Sequence, residues 1–104
     1  MSISERYRQL VSDVVATVRQ LEEQGAPQRA LTVLRNGKQV LEEQLESVGE
    51  IPRINIEYQL SPVLLNAHNL LDRGRLLLIE GGADAFAPQI WVFQQMLYRL
   101  LNDL

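Results

Sequence analysis

The sequence contains no cysteine. Disulfide scaffolds, thiolate metal sites and cysteine nucleophiles are excluded, and a small secreted domain held by staples is not expected. Long apolar stretches are missing as well. No uninterrupted apolar run exceeds the four residues of Leu76-Leu77-Leu78-Ile79, far short of the roughly 20 that span a bilayer. The opening Met1-Ser2-Ile3-Ser4-Glu5-Arg6 carries an acid early and leads into no signal-peptide-like stretch. Basic residues are few and scattered: nine Arg and one Lys stand against 13 acids, for a net charge of −3. A basic stripe that could release counterions from phosphates is absent, so neither nucleic acid nor membrane is expected as a partner. The expected compartment is the cytoplasm.

Histidine occurs once, at position 68. A single imidazole without thiols makes a transition-metal site improbable, and the Glu-x-x-His motif of carboxylate-bridged di-iron bundles does not occur. Five serines share that one potential base and none lies in a nucleophile elbow. Gly81-Gly82-Ala83-Asp84 precedes a helix but lacks the Lys-Ser/Thr of a phosphate loop, and reads as a turn. No catalytic residues, no metal and no cofactor are therefore assigned, and an enzyme is not expected.

What the chain does have is an ordinary globular balance: 104 residues, 46% apolar and 22% charged. That is enough for one hydrophobic core, hence one helical domain over 1–104. Glycine and proline divide it into segments of helical length. Ser2-x-x-Glu5 is a capping box, and Ile3, Tyr7, Leu10, Val14, Val18 and Leu21 recur at 3-4 spacing, which predicts a helix over 3–24. Gly25 suits a helix end and Pro27 a helix start, so a second helix over 27–48 packs antiparallel to the first. Asn36-Gly37 is also a hairpin signal. The apolar stripe of Leu31, Leu34 and Leu41 passes through it without a phase break, which favours helix.

Residues 53–60 alternate, with Ile54, Ile56, Tyr58 and Leu60 on one face. That pattern predicts an extended segment, or, with 75–80 as its partner, a small strand pair. Ser61-Pro62 opens a third helix over 62–80, and the last runs over 87–103 with a wide stripe from Phe86 to Leu104. The fold class expected is mainly α: an antiparallel four-helix bundle with an extended segment near 53–60. The alternative is α+β, with a two-stranded element at 53–60 and 75–80.

Four of the six aromatics lie near the C-terminus: Phe86, Trp91, Phe93 and Tyr98. Trp91 and Tyr98, seven residues apart, share a flank outside the centre of the core stripe. A second apolar flank must be covered by another helix of the chain or by a second subunit, and Trp and Tyr are enriched at interface hot spots. Val33 and Val40 make a similar off-stripe pair on the second helix. His68 lies at the edge of the third helix with Asp72 one turn on.

Val14, Leu21, Gly25, Ala30 and Leu34 resemble one tetratricopeptide-type helical pair over about a third of the chain. No second copy follows at the 34-residue period such arrays need, so no family is implied. The function expected is a non-enzymatic protein–protein interaction module, an adaptor, assembly factor or chaperone-like protein that self-associates as a homo-oligomer. Its interface candidates are Trp91, Tyr98, Val33 and Val40. The alternative is a small-molecule-binding helical sensor with a pocket at His68 and Tyr58.

Overall fold

The computed structural model describes residues 2–45 and 53–104, the side chains of 53–59 excepted. Four long helices appear there: α1 (Ile3–Glu23), α2 (Gln28–Glu42), α3 (Arg53–Glu80) and α4 (Ala87–Asp103), the last preceded by a 3₁₀ turn at Asp84–Phe86. The described residues contain no strand.

Local chemistry sets the ends of the helices. Ser2 has extended backbone, and its Oγ accepts the Glu5 amide at 3.1 Å, the bond the capping box predicts. At the far end of α1, Gly25 adopts φ 70°, its amide donating to the Glu22 carbonyl and that of Ala26 to Leu21. α3 closes in the same way: Gly82 has φ 81°, and the amides of Gly82 and Ala83 donate to the Ile79 and Leu78 carbonyls. Both are Schellman closures, which satisfy carbonyls the helix leaves without donors.

Cross-helix contacts give the topology. The Tyr7 hydroxyl donates to the Leu41 carbonyl, and Arg35 pairs with Glu22, so α1 and α2 are antiparallel. Between α2 and α3, Pro27 faces Gly81, Leu34 faces Gly74 and Gly37 faces Leu71, a second antiparallel pairing. Arg6 bonds Asp103 at 2.8 Å, joining the start of α1 to the end of α4. The result is an up-down-up-down ring in which α1 packs mainly on α2 and α4. Tyr7, Leu10, Leu34, Leu71, Ile90 and Phe93 are among the fully enclosed core side chains.

The bundle is as expected, but the segment at 53–60 is not extended. Residues 53–60 and 75–80 both belong to α3, so the strand pair of the alternative reading does not form, and α3 runs through Pro62 instead of starting there. Leu60 is buried in register with Leu64, Ala67 and Leu71, so the helical stripe begins before the proline. An isolated strand leaves its backbone groups without a ladder, whereas a helix supplies its own donors. Asn36-Gly37 lies inside α2, as the unbroken stripe implied. α2 ends at Glu42, short of the expected 48, and positions 46–48 lie outside the described residues.

Candidate interaction surface

α3 and α4 form a hairpin whose outer seam carries matched levels of polar and aromatic side chains. His68, Asp72 and Arg75 recur at one-turn intervals on α3, as do Trp91, Gln94 and Tyr98 on α4, so each set lines one edge. At one level the His68 and Tyr98 rings stand 6.5 Å apart, tilted by 54°. At the next, Asp72 Oδ1 accepts from Gln94 Nε2 and from Arg75, each at 3.0 Å. Arg75 Nε donates to Gln94 Oε1 at 3.2 Å, and its guanidinium lies 5.3 Å from the Trp91 ring centroid.

Gln94 is fully buried with both ends of its amide bonded, so the network carries no unsatisfied polar group. The Gln94 hydrogen bond, followed by that of Arg75, holds the Asp72 carboxyl below its ordinary range. Asp72 is thereby a fixed anion that pins Arg75, and Arg75 in turn stacks on Trp91, a favourable cation–π arrangement.

Large apolar side chains open to water surround this network. Leu65 is 49% exposed, Leu76 46%, Ile79 44%, Trp91 48% and Tyr98 55%. Leu65, Asp72 and Ile79 follow one another at seven-residue intervals, with His68 and Leu76 one turn between, so they form a single strip on α3. The strip points away from the core stripe of Leu64, Ala67, Leu71 and Leu78. Contiguous apolar surface of this kind marks an interaction site more often than a solvated face.

Of the residues singled out from sequence, the structure brings Trp91, Tyr98 and His68 to this one surface. Val33 and Val40 lie one turn either side of Gly37 on the α3-facing side of α2, both half-buried, with Val40 packed on the core. The breadth of α3 separates them from Trp91 and Tyr98. Tyr58 lies on α3 ten residues before His68, about 15 Å along the axis, and its side chain is outside the described residues. His68 thus has Tyr98 as its ring neighbour.

Leu65, Leu76 and Ile79 were not among the expected interface residues, although the sequence carried a signal. Successive helical residues turn by about 100°, so the run Leu76 to Ile79 cannot face one core; Leu78 is buried while Leu76 and Ile79 face water. Gln94 carried none, because its burial comes entirely from the approach of α3. Elsewhere, a shallow groove of about 180 Å³ between α1 and α4 is lined by Arg6, Gln9, Met96, Arg99 and Leu100, smaller than the roughly 300–1,000 Å³ of small-molecule sites. Among the described residues no cluster of three or more acids and histidines is arranged to hold a metal, and no helix is long and apolar enough to cross a membrane.

Comparison with known proteins finds no matching family model, no matching curated protein and no matching solved structure.

Proposed function

We propose that this chain is a non-enzymatic protein–protein interaction module, an adaptor, assembly factor or chaperone-like protein of the cytoplasm, that docks through the outer face of α3 and α4. The observation that carries this reading is the strip of Leu65, Leu76 and Ile79 beside Trp91 and Tyr98, all about half exposed on one face. Its composition suits a hot spot: aromatic side chains and an arginine held in place, ringed by apolar contacts that can exclude water. Arg75 is already fixed by Asp72, Gln94 and Trp91, so docking sacrifices little of its side-chain freedom. The non-enzymatic part rests on the sequence, in which a single histidine, no cysteine and no serine in a nucleophile elbow offer no second partner for acid–base or nucleophilic chemistry.

Site-specific photo-crosslinking in the native cell tests this. A photoreactive residue at position 98 should give defined protein adducts, and one at the exposed position 19 on α1 should give none. Equal labelling from both positions, or no adduct from 98, removes the docking surface.

A further inference from the structure

We draw no further inference here: the strongest candidate, the half-exposed apolar strip of Leu65, Leu76 and Ile79 on the outer face of the α3–α4 hairpin, belongs to the surface already described, and nothing in the structure shows what covers it.

Discussion

Tyr7 shows how one side chain can serve the core and a helix end together. It is fully buried, and its hydroxyl donates to the carbonyl of Leu41 in the last turn of α2, one of the carbonyls a helix terminus leaves short of donors. Tyr7→Phe keeps the ring and removes that donor. It should lower stability by about 1–2 kcal/mol, the usual cost of leaving a buried acceptor less satisfied, read as a lower urea midpoint. Burial also pushes the Tyr7 hydroxyl well above its ordinary pKa. In the unfolded chain the phenol ionises near pH 10, while in the folded chain it keeps its proton. Stability should therefore fall as pH rises above about 10, and Tyr7→Phe should flatten that alkaline limb.

At the level of elements, the closeness of α2 and α3 depends on glycines that differ in kind. A Cβ at Gly74 would stand 2.3 Å from Leu34 Cδ2 and 2.6 Å from its Cγ, and Leu34 is completely enclosed. A Cβ at Gly37 would meet Leu70 and Leu71 at 3.4 Å, an ordinary contact. Replacing a helical glycine by alanine gains about 1 kcal/mol of helix propensity, so packing decides the sign. Gly74→Ala should destabilise by up to about 2 kcal/mol net of that gain, because overpacking an enclosed site costs about 1–3 kcal/mol. Gly37→Ala should be neutral or stabilising by up to about 1 kcal/mol. Thermal unfolding of the two variants beside the native chain checks the contrast. The interior glycine of α3 is thus the seat of Leu34, which repays its poor helix propensity.

For the whole molecule, the apolar residues exceed what one bundle can enclose. The core takes one stripe from each helix, leaving Leu65, Leu76, Ile79, Trp91, Val92 and Tyr98 about half exposed, all but Val92, turned about 100° from Trp91 on α4, beside the Asp72–Gln94 network. Leu65 and Ile79 are about half exposed, so Leu65→Asp with Ile79→Asp should leave stability within about 0.5 kcal/mol of the native chain, as for surface changes. Urea unfolding of the double variant checks this, and a loss of several kcal/mol would show that these side chains serve the core.

The stripes of α1, the capping box at Ser2, the turn glycine at Gly25 and the helical passage through Asn36-Gly37 were legible in the sequence because each follows from neighbours within a few residues. So was the prominence of Trp91 and Tyr98, whose seven-residue spacing places them on one flank of any helix. The strip on α3 was only half legible: the run Leu76 to Ile79 implied surplus apolar surface but not which residues would face water. Residues 53–60 were misread because alternation is a local pattern, whereas a strand exists only if another segment supplies its ladder, and 75–80 was already committed to α3. By itself the sequence determined a cysteine-free, single-core helical bundle, since composition and 3-4 periodicity are properties of the chain alone. The burial of Gln94, the stacking of Arg75 on Trp91 and the grouping of the exposed strip with the aromatic flank were decided only by the antiparallel register of α3 and α4, which brings together residues 16 to 30 positions apart.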